Sequence, residues 1–253
     1  MKKKMFWIAA VCALVASLSA NASVVIVGTR LVFPSNEREI TVRLSNEGKE
    51  PGLIQVWMDD GDEKSTPEQA HVPFVLTPPL FRVDAGKGQS VRMLYNGQPL
   101  PQDKETLFWF NMLEVGPKPT FDADQNYMQV AFRTRIKVFY RPKALNTQEQ
   151  QDEAIESLRW TLKRADDGGY SLVFNNPSPY FITVIKAGLI GADDKPLAEV
   201  DQAAMADPGK AATISLKDLR SAPSGKFKVR FTYLNDFGGT VVKDVELADA
   251  AKQ

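Results

Sequence analysis

Short runs of alternating apolar and polar residues dominate the chain. In Ile40–Leu44 the even positions are apolar and the odd positions are polar, so one face of this segment is expected to be buried. Clusters of Pro, Gly, Asn and Asp, such as Asn46-Glu47-Gly48, separate the runs. As far as residue 140 the pattern predicts seven strands: Val24–Val27, Glu39–Leu44, Leu53–Met58, Phe74–Leu76, Ser90–Tyr95, Leu107–Glu114 and Tyr127–Tyr140. Strands of this number and spacing predict an Ig-like sandwich.

The same pattern resumes after a polar segment and predicts a second β domain. Residues 143–156 (KALNTQEQQDEAIE) have little periodicity and predict a linker, with a short helix from Thr147 to Ser157 as an alternative. Glycine pairs at 168–169 and 238–239 are typical of hairpin turns. Six further strands are predicted: Leu158–Leu162, Tyr170–Phe174, Phe181–Ile190, Ala212–Leu216, Phe227–Leu234 and Thr240–Leu247. The predicted fold is therefore all-β, with domains at residues 23–142 and 157–253.

Residues 1–22 have the pattern of a secretory signal peptide. Three lysines at positions 2–4 precede an apolar run, Phe6–Leu18, and Ala20-Asn21-Ala22 fits a small-x-small cleavage site. The run is shorter than the roughly 20 apolar residues that a membrane-spanning helix needs. We therefore expect cleavage after Ala22 and a secreted chain that begins at Ser23.

Composition and charge favour a binding protein over an enzyme. The chain has 31 basic and 31 acidic residues, so no general positive charge points to nucleic acid as a partner. Its one cysteine, Cys12, lies in the predicted signal peptide, which leaves no cysteine for a disulfide or a zinc site. Its one histidine, His71, lies in a turn-rich stretch without a nucleophile-elbow motif, so a surface-loop histidine is favoured over a catalytic one. We expect no catalytic residue, no metal and no cofactor.

An acidic cluster at residues 59–63, Asp-Asp-Gly-Asp-Glu, has two interpretations. It could bind calcium weakly, but it lacks the regular ligand spacing of a calcium-binding loop. A solvated turn is the favoured interpretation.

The last predicted strand of the first domain is unusually long. Residues 126–140 (NYMQVAFRTRIKVFY) span fifteen positions, against about five or six for an ordinary strand. Met128, Val130 and Phe132 form an apolar row. Periodicity alone favours a row that faces its own core, and the alternative is an edge strand that offers the row to another protein. Lys137 is odd-numbered, so on a flat strand it faces away from the row unless twist or a bulge intervenes.

Several segments, taken together, resemble motifs of the periplasmic pilus chaperones of the PapD type. They follow in order over nearly the whole secreted chain. They are GTRLVF at 28–33, LTPP at 76–79 with Arg82, LPQDKETLFWFN at 100–111, RIKVFYRP at 135–142, NNPSPY at 175–180 and YLNDFGG at 233–239. The short segment 115–125 and the absence of a cysteine pair in the second domain resemble the short-loop subclass.

The resemblance implies a fold, a location and a function. The fold is two Ig-like β-sandwich domains at an angle, with a cleft between them, and the location is the periplasm. The function is to fold and cap pilus (fimbrial) subunits and to deliver them to an outer-membrane usher. The chaperone lends each subunit a strand, a mode called donor-strand complementation. The exposed apolar edge also allows a self-capping homodimer of the free protein.

The resemblance further implies roles for nine residues. Arg30 and Lys137 would hold the C-terminal carboxylate of the subunit. The groove of the subunit would be filled by Tyr127, Met128, Val130 and Phe132. An interdomain ion network would be formed by Glu105, Arg141 and Asp236.

Two other classes of protein stay open at this point. A pilin or adhesin subunit is usually a single sandwich with a free N-terminal donor segment, whereas here the first strand begins almost at the cleavage site. A hydrolase or carbohydrate-binding module would need a catalytic cluster or an aromatic platform, and neither is visible in the sequence.

Overall fold

A computed structural model describes residues 23–118, 128–221, 223 and 226–247. These residues form two β-sandwich domains, as the strand pattern predicts. The predicted signal peptide and Tyr127 lie outside the described residues. Within the described part of the chain, no helix is long and apolar enough to cross a membrane.

The first domain packs two sheets face to face. One sheet has the strand order β1-β3-β7-β5 and the other β2-β9-β8-β4-β6. Their inward side chains form a core that includes the fully buried Phe33, Val42, Ile54, Val91 and Phe110. The strands are β1 (Val24–Ile26), β2 (Arg30–Pro34), β3 (Glu39–Asn46), β4 (Gly52–Asp59), β5 (Phe74–Thr77), β6 (Leu80–Val83), β7 (Gly88–Tyr95), β8 (Thr106–Val115) and β9 (Ala131–Arg141).

The first domain has two more strands than predicted, β2 and β6, because the chain crosses twice from one sheet to the other. Gly28, at φ +112°, separates β1, which pairs with β3, from β2, which pairs in parallel with β9. The cis Thr77–Pro78 bond lies between β5, which pairs with β7, and β6, which pairs with β4. The first crossing makes Arg30 and Lys137 direct neighbours in the sheet.

Strand β9 begins later than predicted. It pairs with β8 from Ala131 opposite Val115 to Tyr140 opposite Thr106, with no shift in register. Because β8 ends at Val115, residues 128–130 pair with no strand of the described structure. The prediction that this strand includes residues 128–130 is therefore wrong for the chain without a bound partner.

The second domain is also a sandwich. Its sheets have the orders β10-β11-β15 and β13-β12-β16-β17, with β14 paired to β12. The elements are a 3-10 turn (Lys143–Leu145), α1 (Gln148–Glu156), β10 (Arg159–Arg164), β11 (Tyr170–Asn175), β12 (Ile182–Gly191), β13 (Pro196–Val200), β14 (Ala204–Ala206), β15 (Ala211–Leu216), β16 (Phe227–Leu234) and β17 (Thr240–Val245). Strands β13 and β14 were missed by the sequence pattern because they are short and alternate weakly.

The polar segment before β10 contains a docked helix. Thr147 caps α1: its hydroxyl accepts a hydrogen bond from the Gln150 N–H (3.3 Å), and the Gln150 side chain accepts one from the Thr147 N–H (3.4 Å). Ala154 and Ile155 are buried in the second core. The segment predicted as a linker is thus partly built into the second sandwich.

Candidate functional site

Strand β9 has two different faces. Ile136, Val138 and Tyr140 point into the first core, and Lys137 lies between them on the opposite face. Because the pairing with β8 contains no bulge, Phe132 shares the face of Ile136. Lys137 and Phe132 therefore lie on opposite faces, as a flat strand requires, whereas Met128 and Val130 precede the strand.

The apolar row is exposed and lies beside an unpaired strand edge. Met128 is 86% exposed, Val130 54% and Phe132 38%. Strand β2 covers the outer edge of β9 only from Lys137 onward. Between Ala131 and Ile136 this edge has no neighbouring strand within the described residues. An unpaired edge next to uncovered apolar side chains is a template for another strand.

A pair of cations marks the point where this open edge ends. Arg30 is 8% exposed, its guanidinium lies 5.5 Å from the centroid of the Phe139 ring, and it donates to the Leu234 carbonyl oxygen (3.4 Å). Its buried Nε has no hydrogen-bond partner among the described residues. The Lys137 Nζ lies 5.6 Å from the centroid of the Trp109 ring. Of the carboxylates that the structure describes, none lies within 4.0 Å of either cation.

The electrostatics of this cation pair favour a bound anion. Burial lowers the pKa of Arg30, although the nearby carboxylates of Asp236 and Glu105 partly oppose the effect. Burial also lowers the pKa of Lys137, and the charge of Arg30 lowers it further. A carboxylate bound between the two side chains would relieve the repulsion and supply charge-assisted hydrogen bonds.

Three charged residues meet across the cleft between the domains. The Arg141 Nε donates to Glu105 Oε1 (2.7 Å), and its Nη2 donates to Asp236 Oδ1 (2.8 Å). The second oxygen of Glu105 accepts from the Phe181 N–H in the second domain (2.8 Å). Glu105 and Arg141 are each 3% exposed. The structure thus brings together Glu105, Arg141 and Asp236, which are far apart in sequence.

Helix α1 adds a fourth residue to this contact. With its amide oriented to satisfy both partners, Gln151 accepts from Arg141 Nη1 (2.9 Å) and donates to Asp236 Oδ2 (3.0 Å). The Tyr180 hydroxyl donates to the Leu145 carbonyl oxygen nearby (2.6 Å). The Thr147-x-x-Gln150 capping box signals the helix in the sequence, but no local pattern shows where the helix docks.

Asp59 is buried, so the prediction of a solvated turn is wrong for this member of the acidic cluster. Its carboxylate accepts hydrogen bonds from Asn111 Nδ2 (2.7 Å), from the Gly61 N–H (2.7 Å), from the Ser65 hydroxyl (3.2 Å) and from Arg135 Nε (3.2 Å). The described residues contain no group of three His, Cys, Asp or Glu that could hold a metal ion. Asp59 instead pairs with the outer face of β9.

Aromatic rings complete this outer face. The Arg135 guanidinium lies 4.1 Å from the centroid of the Trp109 ring, and the Arg133 guanidinium lies 4.8 Å from that of Trp57. Cation–π contacts of this kind add to the ion pair with Asp59. They were not predicted from the sequence, because the tryptophans lie on other strands. His71, by contrast, is exposed in a loop, as predicted.

Comparison with family models identifies both domains. Residues 23–146 match the model for the N-terminal domain of PapD, described as a pili and flagellar-assembly chaperone. Residues 153–244 match the model for the C-terminal domain of the pili assembly chaperone PapD.

Curated relatives are similar over almost their full length. The chaperone protein FimB/FhaD of Bordetella pertussis is 38% identical over 94% of each chain. The probable fimbrial chaperone YadV of Escherichia coli K12 is 38% identical over 91% of this chain and 92% of its own.

Solved structures show the same fold. The crystal structure of the Pseudomonas aeruginosa CupB2 chaperone has a TM-score of 0.70 and 34% identity, and it covers 88% of this chain and 100% of its own. The Salmonella enterica SafA pilin in complex with the SafB chaperone matches with a TM-score of 0.69 over 90% of this chain and 98% of its own. At 21% identity, that second likeness is informative about the fold alone.

Proposed function

Because the chain belongs to the family of PapD-type pilus-assembly chaperones, whose members are not enzymes, we propose that it captures pilus subunits in the periplasm by donor-strand complementation. One observation carries the proposal. An exposed apolar row, an unpaired strand edge and a cation pair without a carboxylate partner among the described residues follow one another from Met128 to Lys137, where Arg30 of β2 lies beside β9.

The order of these features favours one direction for an added strand. A strand that pairs with β9 between Ala131 and Ile136 meets the start of β2 at Arg30. If it runs parallel to β9, as β2 does, its C-terminus arrives beside Arg30 and Lys137. Its terminal carboxylate then receives hydrogen bonds from both cations, which are stronger than bonds between neutral groups.

The two faces of β9 contact different parts of the subunit. Met128, Val130 and Phe132 enter the open groove of the subunit from the inner face, while Lys137 anchors the carboxylate from the outer face. Burial of the three apolar side chains contributes about 1.5–3 kcal/mol each before ordering costs. The anchor sets the register, because a slip of one residue would turn every side chain of the added strand over.

The remaining expectations belong to the same proposal. Tyr127 helps Met128, Val130 and Phe132 to fill the groove of the subunit, and Glu105, Arg141 and Asp236 fix the angle between the domains. The loaded chaperone delivers its subunit to an outer-membrane usher. When no subunit is bound, a second copy of the chain covers the exposed row, since an apolar surface of this kind is unfavourable in water.

The carboxylate anchor provides the test of this function. A pilus subunit is first identified by co-purification from the periplasm and mass spectrometry. Its binding is then measured with the wild-type chaperone and with the Arg30→Ala, Lys137→Ala and Arg43→Ala variants. Arg43 is an exposed residue of β3, in the sheet that contains neither β2 nor β9, so its variant is the matched control.

We expect Arg30→Ala and Lys137→Ala each to weaken subunit binding at least about tenfold, because each removes hydrogen bonds to a charged group. The Arg43→Ala variant should bind like the wild type. Circular dichroism checks that all variants are folded. Capture of the subunit at wild-type yield by either cleft variant would refute the anchor.

A further inference from the structure

Glu114, near the end of β8, is a buried carboxylate without a cation partner among the described residues. It is 5% exposed. Its Oε1 accepts a hydrogen bond from the Ser23 hydroxyl, and its Oε2 accepts one from the Val24 N–H (3.1 Å). Over the parts of the chain that the structure describes, no Lys, Arg or His nitrogen lies within 4.0 Å of it. Buried carboxylates are rarely left without a cation, because the loss of hydration is costly.

The start of the first strand is held firmly against this carboxylate. The Glu47 N–H donates to the Ser23 carbonyl oxygen (2.7 Å). Gly48 packs so closely that an added Cβ would lie 2.3 Å from the Ser23 Cβ. Val24, the next residue, is 1% exposed. Ser23 therefore has a defined place, and both its hydroxyl and the next N–H along the chain are bound to Glu114.

We propose that Glu114 is the receptor for the α-ammonium group that signal-peptide cleavage creates on Ser23. Covalent geometry keeps the Ser23 nitrogen within about 6 Å of the carboxylate, because the hydroxyl of Ser23 and the N–H of Val24 both contact it. Hydrolysis of the Ala22–Ser23 bond transfers the oxygen of water to the new carboxylate of Ala22. The freed amine keeps a proton at neutral pH and becomes a cation. An uncharged amide is thereby replaced by a cationic partner for Glu114.

The pair links maturation of the chain to the stability of its first strand. Strand β1 lies at the edge of its sheet and spans only three residues, so few other bonds hold it. One additional residue would move the charge by about 3.3 Å along the strand. The ion pair with Glu114 therefore stabilises a mature chain that begins at Ser23 more than one that begins a residue earlier. The inference concerns the chain's own N-terminus and does not depend on the proposed capture of subunits.

A double-mutant cycle on the secreted, full-length mature protein tests the pair. One glycine is inserted between Ala22 and Ser23, and mass spectrometry identifies the preparation that starts at the inserted residue. Unfolding in urea is then compared for the chains with and without the extra glycine, in the wild-type background and in the Glu114→Gln background. We expect the extension to raise the unfolding equilibrium constant at least about tenfold in the wild-type background and less than about twofold in the Glu114→Gln background. An equal effect in both backgrounds, or none in either, would overturn the proposal.

A direct titration covers the case in which Glu114→Gln does not fold. The pKa of the Ser23 amine in the wild-type protein is measured by its reaction with an amine-specific reagent at different pH values. A nearby carboxylate should raise this pKa above about 8, the upper end for a free α-amine. An unshifted amine would show that the cation is not bound at Glu114.

Discussion

Three cations alternate along the outer face of β9, at positions 133, 135 and 137, and different groups surround them. Arg135 pairs with the buried carboxylate of Asp59. Arg133 donates to the Asn111 side-chain oxygen (2.8 Å) and to the Glu63 carbonyl oxygen (2.7 Å). Lys137 has the Trp109 ring beside it and no carboxylate within 4.0 Å in the described structure. Of the three, Lys137 is therefore the cation best placed to bind an external anion.

The hydrogen bonds of the Asp59 carboxylate predict how the stability of the fold changes in acid. Burial raises its pKa, but hydrogen bonds from Arg135, Asn111 and the Gly61 N–H outweigh this and hold the pKa below its ordinary value of 3.8. A carboxyl group whose pKa is lower in the folded state than in the unfolded state stabilises the fold at pH values above its unfolded-state pKa. This stabilisation is lost as the pH falls through the folded-state pKa. We expect Asp59→Asn to lower the free energy of unfolding by about 3 kcal/mol at pH 7, because it leaves a charge without its partner.

The same variant should be less sensitive to acid than the wild type. Urea unfolding at pH 7 and at pH 3 measures the difference, and Asp62→Asn, at an exposed position nearby, is the control. If the stability of Asp59→Asn fell between these pH values as much as that of the wild type, the ion pair would not be the source of the acid sensitivity.

At the scale of the element, β9 is a strand with a covered half and an open half. Its C-terminal half is enclosed between β2 and β8, whereas its N-terminal half has β8 on one side only within the described structure. Before Ala131 even that partner is absent from the described ladder, so residues 128–130 lack the ladder bonds that a bound strand would supply. The open half is thus suited to pair with another chain.

The alternation of odd and even positions along the donor strand gives a second prediction. Met128→Ser, Val130→Ser and Phe132→Ser should each weaken subunit binding about tenfold or more, since each removes roughly 1.5–3 kcal/mol of apolar burial. Gln129→Ser and Ala131→Ser, which change the opposite face once a bound subunit extends the strand over residues 128–130, should bind within about twofold of the wild type. The comparison needs the purified subunit and a titration by fluorescence or calorimetry. Equal losses at odd and even positions would contradict the assignment of faces.

Helix α1 shows how a polar segment becomes part of a domain. Its buried residues are Ala154 and Ile155, while its other face carries charged and amide side chains. Such a helix is weak on its own, because short helices depend on tertiary packing. Its capping box and the second core together hold it where Gln151 reaches Arg141 and Asp236.

At the scale of the whole molecule, the contact across the cleft depends on Arg141. This side chain from the first domain pairs with Asp236 and Gln151 from beyond the domain junction. Its third partner, Glu105, is bound in turn by the Phe181 N–H. Because the network includes both domains, its loss should change how they are held relative to each other and leave each sandwich intact.

We therefore expect Asp236→Ala to broaden the range of domain orientations. Small-angle X-ray scattering should show a larger maximum dimension, while the free energy of unfolding falls by about 1 kcal/mol or less, since Asp236 is partly exposed. Asp194→Ala removes an ion-paired carboxylate whose described ion pairs lie within the second domain, and it is the matched control. A scattering profile of Asp236→Ala that matches the control would contradict this role.

Much of the fold follows from local pattern. Alternation with a period of two placed most strands, and glycine pairs marked the hairpins β10–β11 and β16–β17. The strands that the pattern missed are short, as at β13 and β14, or follow a crossing between sheets, as at β2 and β6. Pairing with a neighbour, which a local pattern does not contain, defines these strands.

The candidate site follows from the sequence only in part. The apolar row at Met128, Val130 and Phe132 and the parity of Lys137 are visible in the chain itself, whereas the roles of Arg30 and Asp236 rest on resemblance to a family. The contacts of three further residues were not predicted: Asp59, Gln151 and Glu114. Each of them acts chiefly through partners on other elements, and spacing along the chain carries no information about such contacts.

The sequence by itself determined the positions of most strands and the two faces of β9, because these depend on residues that are close together along the chain. The tertiary structure decided which charges meet. The crossing at Gly28 sets Arg30 beside Lys137, and the fold brings Arg141 to Asp236. Charge pairing depends on distance in space, and that distance exists only after the sheets have packed.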